Sequence, residues 1–237
     1  MLLIVVIVLA TLLVAAELLA RSILPGIVRG IVVDQLELPA DQQLEVHADG
    51  ILLPQLVTGN LDSLHLSSDA VTIGGITGAA DITATGIPLR GGDLSSATGT
   101  VRIDQDQFAG LLATSDLPIE SVTLDAPNAT LSGTVPVLGF PVSIALTLTP
   151  GADAGELLLT PVALQVAGVD LDAAEISGLG DIGAQLTQPQ RICIADRLPA
   201  GLTVTGIEVR GTEVVVDLDA DGAIVTDATL QQNGNCP

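Results

Sequence analysis

Three aspartates at alternate positions, Asp217, Asp219 and Asp221, followed by Gly222, resemble the oxygen ligands that open an EF-hand calcium loop, with Ile224 at the apolar eighth position. Such a loop closes on a bidentate glutamate at its twelfth position. Ala228 stands there, and the flanks are β-branched rather than helical. The same carboxylates fit one face of a strand ending in an Asp-Gly turn, and the pattern favours that reading. His47 and His65 sit on the polar phase of strand-like runs, and neither has a second His, Cys or Glu at ligand spacing, so neither is assigned a metal or general-base role. No GxSxG, HExxH, P-loop or GxGxxG motif occurs. Asn128-Ala129-Thr130 fits a glycosylation sequon. The expectation is a protein without catalytic residues, bound metal or cofactor.

Cys193 and Cys236 are the only cysteines. In an exported chain an even pair reads as one disulfide, here tying the tail NGNCP back to RICIADRLP. Export is itself indicated by the start of the chain. Residues 2–16, LLIVVIVLATLLVAA, carry no charge. Fifteen residues is nearer a signal core than the roughly 20 that span a bilayer, but counting to Ala20 gives 19 before Arg21. Val14-Ala15-Ala16 resembles a cleavage site, no basic residue precedes the run, and Arg21 and Arg29 follow it. An uncleaved anchor, a cleaved signal and a buried core helix all remain open.

The chain has seven arginines, no lysine and 28 acidic residues, for a net charge of −21. A surface so acidic repels nucleic-acid phosphates and anionic headgroups alike, which excludes nucleic acid as a partner. Phe108 and Phe140 are the only aromatics in a chain that is 48% hydrophobic. The aromatic anchors of enzyme pockets and interfaces are therefore scarce. Aliphatic surface of Leu, Val, Ile and Ala suits acyl chains, which need volume and no directional bonds; it equally suits an ordinary β core.

These residues must be positioned by short elements. Beyond the leader, Leu24, Ile27, Val28, Ile31 and Val32 keep helical spacing, and Pro25-Gly26 should kink or break the helix near Leu24, leaving a second, amphipathic piece to about Val33. From Gln43 the period becomes two. LEVHADG reads as a strand, ILLPQLVTG as a short helix stopped by Gly59, and LDSLHLSS, AVTIGG and AADITATGIPL as strands. DQDQFAGLLAT is a helix with Asp104 and Gln107 as a capping box and Phe108, Leu111 and Leu112 on its apolar face. Strands resume at ESVTLDAP, NATLSG, PVSIALTLTP and GELLLTPVALQVAGVDL, with a helix expected near 180–188. The end reads as three short strands turning at Thr205-Gly206, Arg210-Gly211 and Asp221-Gly222. This is an α+β chain dominated by antiparallel sheet, with no internal repeat, and is divided as a signal or anchor helix over 1–24 and one domain over 25–237.

The stretch ILLPQLVTGNLDSLHLSSDAVTIGGITGAADITATGIPLRGG, with DQDQFAGLL, LPAGLTVTGIEVRGTEVVVDLDADG and the export segment running into a helix with an Arg, resembles the actinobacterial LmeA-type phospholipid-binding family over most of residues 17–227. The resemblance implies an envelope protein with a long curved antiparallel sheet wrapped on a few helices, like the tubular lipid-binding (TULIP) fold, holding lipid in an apolar groove. The chain departs from the family's pattern at Pro25-Gly26 and in its acidity, since only Arg90 and Arg102 lie in its central part. Leu24, Ile27, Val28, Ile31, Phe108, Leu111, Leu112 and Phe140 are the candidate groove residues. The expected partners are a phospholipid or other acyl-chain lipid, and a membrane reached through the N-terminal helix. The competing readings are a structural or assembly protein of the envelope without a lipid ligand, and an envelope enzyme acting on lipid or glycan.

Overall fold

Helix α1 runs from Leu2 to Gln35 without interruption, through Pro25, in the computed structural model, which describes residues 1–35, 42–73, 76–113, 119–137, 140–153, 155–178, 180, 181, 184 and 187–236. The break expected at Pro25-Gly26 does not occur. Ala20, Leu24 and Val28, spaced by four on both sides of the proline, pack against one cluster of Ala48, Leu52, Leu61 and Leu64. A single apolar stripe docked on a single surface holds the two halves in line, which offsets the backbone bond the proline cannot donate.

Strand β1 (Glu45–Ala48) leads to helix α2 (Leu52–Thr58), which ends at Gly59 with φ 79°. That left-handed conformation is what a glycine C-cap supplies, and the Gly59 N–H donates to the Gln55 carbonyl at 2.8 Å. Strands β2 (Asn60–Ile73), β3 (Ile76–Pro88) and β4 (Ser96–Asp104) follow, then helix α3 (Gln105–Ala113). LDSLHLSS and AVTIGG, read as separate runs, share β2, whose pairing with β3 shifts register between Ser68 and Val71.

Strands β5 (Ser121–Asp125), β6 (Asn128–Val137), β7 (Phe140–Asp153), β8 (Glu156–Val166), β9 (Val169–Asp172) and β10 (Gln190–Cys193) build a second sheet. Helix α4 (Ala173–Ser177) opens with a capping box between Asp172 and Glu175 and buries Ile176. The sequence signal for it, Asp172-x-x-Glu175, went unread. Of the helix expected near 180–188, Asp181 and Ala184 are helical and the Ala184 N–H donates to the Gly180 carbonyl at 2.9 Å, while residues 182, 183, 185 and 186 lie outside the described residues. Strands β11 (Leu202–Arg210) and β12 (Glu213–Ala220) return to the first sheet. The three short strands expected here are two, because Thr205-Gly206 makes a register shift inside β11 rather than a turn.

The α+β architecture thus comprises two antiparallel six-stranded sheets. The first is ordered β1-β2-β3-β4-β12-β11; the second is ordered β10-β8-β7-β6-β5, with β9 also on β8. They meet where β11 lies along β7. A core cluster of Val122, Leu124, Ala129, Val209 and Val214, with Phe108, Ile207 and Val216 against it, joins the two sheets.

The tail crosses back from the first sheet to the second. Thr229 donates both its hydroxyl and its N–H to Asp227, which holds that carboxyl below the usual carboxylate range. Pro199 bridges Asn233, and Cys236 bonds Cys193 at 2.03 Å, fixing the tail to β10.

Candidate functional site

Register assigns every residue of the first sheet to one of two faces. His47, His65, Thr83, Thr98, Asp219 and Thr203 oppose one another across all six strands and form a polar row. One position along, the row Leu66, Ile82, Gly99 and Leu218 is apolar, and beside it Ala80, Val101, Val216 and Ile207. Both core clusters sit on this apolar face, at opposite edges. α1 and α2 cover the β1–β2 edge, the second sheet meets the β11 edge, and α3 packs on β5 and reaches across β12 and β4 to β3.

Between the clusters the face is covered only in part. Ile82 in its middle is 41% exposed, while Ala80, Gly99, Val101 and Leu218 are half-buried. Ala80 and Gly99 contribute little side-chain bulk there. No charged residue belongs to it. The second sheet continues the theme with Leu131, Leu146, Leu164 and Leu171 in one cross-strand row, all half-buried.

The candidate groove residues divide. Leu24 and Val28 of α1 and Phe108 of α3 pack against the core clusters. Ile27 and Ile31, farther along α1, are more than half exposed, and Phe140 at the start of β7 is 73% exposed. Leu111 and Leu112 belong to α3, but their side chains lie outside the described residues. Leu66, Ile82, Val101 and Leu218 were not singled out from the sequence. Their two-residue alternation was visible, but which strands would be their neighbours was not.

A second apolar feature lies between α1 and α2. A cleft of about 680 Å³ is lined by Leu13, Val14, Leu18, Ile51, Pro54 and Val57, with Glu17 and Arg21 at its edge. Ile51, the N-cap of α2, offers no side-chain acceptor. Glu17 supplies one from α1, accepting the N–H groups of Leu52 and Leu53 at 2.9 Å each. Arg21 donates to Glu17 at 2.9 Å and to the Gly50 carbonyl. Gln55, buried on α2, donates to the Asp49 carbonyl at 2.8 Å and accepts from the Asp62 N–H at 3.0 Å. The two helices are thereby joined by backbone-directed hydrogen bonds as well as apolar contact.

The histidines, isolated in sequence, are partners in space. His47 opposes His65 across β1 and β2, and their Nε2 atoms lie 3.6 and 3.0 Å from the two oxygens of Asp49. Thr83 Oγ1 lies 2.9 Å from His65 Nδ1, so both ring nitrogens of His65 are engaged. The aspartate run also serves local structure: Asp217 accepts from the Thr100 hydroxyl at 2.9 Å, and Asp221 accepts from the Ala223 N–H at 2.8 Å. Among the described residues no group of three or more His, Cys, Asp or Glu is arranged to hold a metal ion.

No curated protein and no solved structure matches the chain. A family model does, that of LmeA-like phospholipid-binding proteins, and it covers residues 15–219, beginning two residues before Glu17 and ending within β12. With that match over most of its length, the chain belongs to the LmeA-like phospholipid-binding family.

Proposed function

We propose that the protein is a non-enzymatic lipid carrier of the cell envelope, held to the membrane by α1 with its sheets facing outward. Phospholipid acyl chains lie along the open apolar face around Ile82, and the protein supports assembly of envelope lipid or lipoglycan. The observation that carries this reading is the apolar face of the first sheet, where Ile82 stays 41% exposed beside the half-buried Ala80, Gly99 and Val101. Each methylene moved there from water contributes about 0.8 kcal/mol. Such a strip has no directional bonds to offer, which fits a ligand recognised by its hydrocarbon.

The division into a leader over 1–24 and one domain over 25–237 is replaced in this reading by a single unit in which α1 from about Glu17 onward belongs to the lipid-binding body. Support comes from the packing of Ala20, Leu24 and Val28 and from the family match beginning at residue 15. The test is extraction of the full-length chain in mild detergent, followed by organic extraction and mass spectrometry of what remains bound. Phospholipid in stoichiometric amount is the expected result. A lipid-free protein that also takes up none from vesicles would identify it instead as a packing element of the envelope.

A further inference from the structure

The geometry points to the cleft between α1 and α2 as a membrane-embedded portal in which an acyl chain of a bilayer lipid lies against Leu13, Leu18, Ile51 and Val57. This rests on the reading of α1 as a membrane anchor. Three observations support it.

The first is depth. Residues 2–16 are uncharged, and those up to Ala15 are exposed. α2 sits beside α1 at the level of residues 13–21. Leu13 is four residues from Glu17, so at about 1.5 Å per residue it lies roughly 6 Å deeper than the first charge. A bilayer that takes up the uncharged run therefore has its boundary at the height of α2.

The second is surface chemistry. In a chain with 28 acidic residues, Gly50–Leu61 carries no charge. Ile51, Pro54 and Val57, at spacing three, are exposed together on α2, Val57 by 79%. Exposed aliphatic side chains on one face of a short helix next to an apolar helix are continuous with the membrane contact that α1 makes. The mutual pairing of Glu17 and Arg21, and their bonds to Leu52, Leu53 and Gly50, leave neither charge seeking water at the cleft.

The third is volume. A cleft of about 680 Å³ lies within the range of roughly 300–1,000 Å³ typical of ligand sites. Leu53 forms part of its wall, and the neighbouring Leu52 is buried in the cluster that packs against Leu64 and Leu66 of the first sheet.

The test uses the full chain, with the Cys193–Cys236 disulfide left oxidised, in phosphatidylcholine vesicles whose acyl chains are brominated at mid-chain. Single substitutions Leu9→Cys, Val57→Cys and Asp219→Cys each carry a bimane fluorophore. Fluorescence should be quenched at Leu9 and at Val57, and not at Asp219 on the polar face. Quenching at Leu9 with none at Val57 overturns the portal while leaving the anchor intact. No quenching at Leu9 overturns the anchor and the portal together. Thermal unfolding of each labelled chain at the temperature of the unlabelled one excludes misfolding as the cause.

Discussion

Glu17 and Leu52 stand 35 positions apart and share a 2.9 Å hydrogen bond from the Leu52 N–H to the Glu17 carboxylate. With the matching bond from Leu53, one α1 side chain satisfies two of the free N–H groups that begin α2. The carboxylate performs across the tertiary contact what an N-cap residue normally performs locally, since Ile51 cannot. This ties α1 to the start of α2.

Glu17→Ala should therefore loosen α2 specifically. The loss is of the kind that removal of an N-cap residue causes. Hydrogen exchange of the amides from Leu52 to Leu61 should quicken, with those of β6 to β8 unchanged. Glu17→Gln, which keeps an acceptor oxygen, should fall between. Unaltered exchange at Leu52 and Leu53 in the alanine variant would show that the bonds contribute nothing.

Removal of residues 1–14 should leave thermal stability as it is, because Glu17, Ala20, Leu24 and Val28 all remain. Removal of 1–33 uncovers Leu52 and Leu64 and should lower the melting temperature or cause aggregation. Equal stability of the two truncations would mean α1 does not belong to the packed unit.

Gly99→Leu probes the strip directly. A Cβ at Gly99 would lie 3.6 Å from Ile82 Cγ1, an ordinary contact, so the sheet accepts it. Replacing a strand glycine adds roughly 0.5–1 kcal/mol of stability if anything. The leucine fills the floor, and bound lipid should fall by several fold, since each displaced methylene is worth about 0.8 kcal/mol. Undiminished lipid in a fully folded variant would locate the ligand elsewhere.

The Cys193–Cys236 bond closes a loop with sequence separation 43. In the chain-entropy account such a loop stabilises by about 3–4 kcal/mol. Cys193→Ser with Cys236→Ser should lower the melting temperature and free the tail after Thr226 to proteolysis. Alkylation of the native protein without reductant should label neither cysteine; labelling of both would refute the bond.

A net charge of −21 sets the salt response of membrane contact. For the chain without residues 1–14, binding to anionic vesicles should strengthen as salt rises, because the Debye length shrinks from about 30 Å at 0.01 M to 8 Å at 0.15 M and screens the repulsion. Flotation across a salt series measures this. Binding that is tight at low salt and lost at high salt would identify a basic docking patch instead.

Much of the fold is encoded in short-range pattern. Val142, Ile144, Leu146 and Leu148 alternate with Ser143, Ala145, Thr147 and Thr149, and they lie in one strand, β7. Gly59 ends α2 because the left-handed turn there favours glycine, and the two cysteines of the chain pair with each other. Such features depend on neighbours two to four positions away, or on composition alone, so the sequence determines them by itself. The tertiary structure decides what depends on distant neighbours. Pro25 stays helical because Ala20, Leu24 and Val28 dock on residues 48–64, and Thr205-Gly206 remains within a strand because β12 pairs along its length. His47 meets His65 through strand register, Phe108 is packed while Phe140 is exposed, and Ile82 is left uncovered because the clusters form at the sheet's two edges. Periodicity gives each side chain a face. Only the pairing of segments far apart in sequence, such as Thr100 with Asp217, determines what lies over that face and where it stays open.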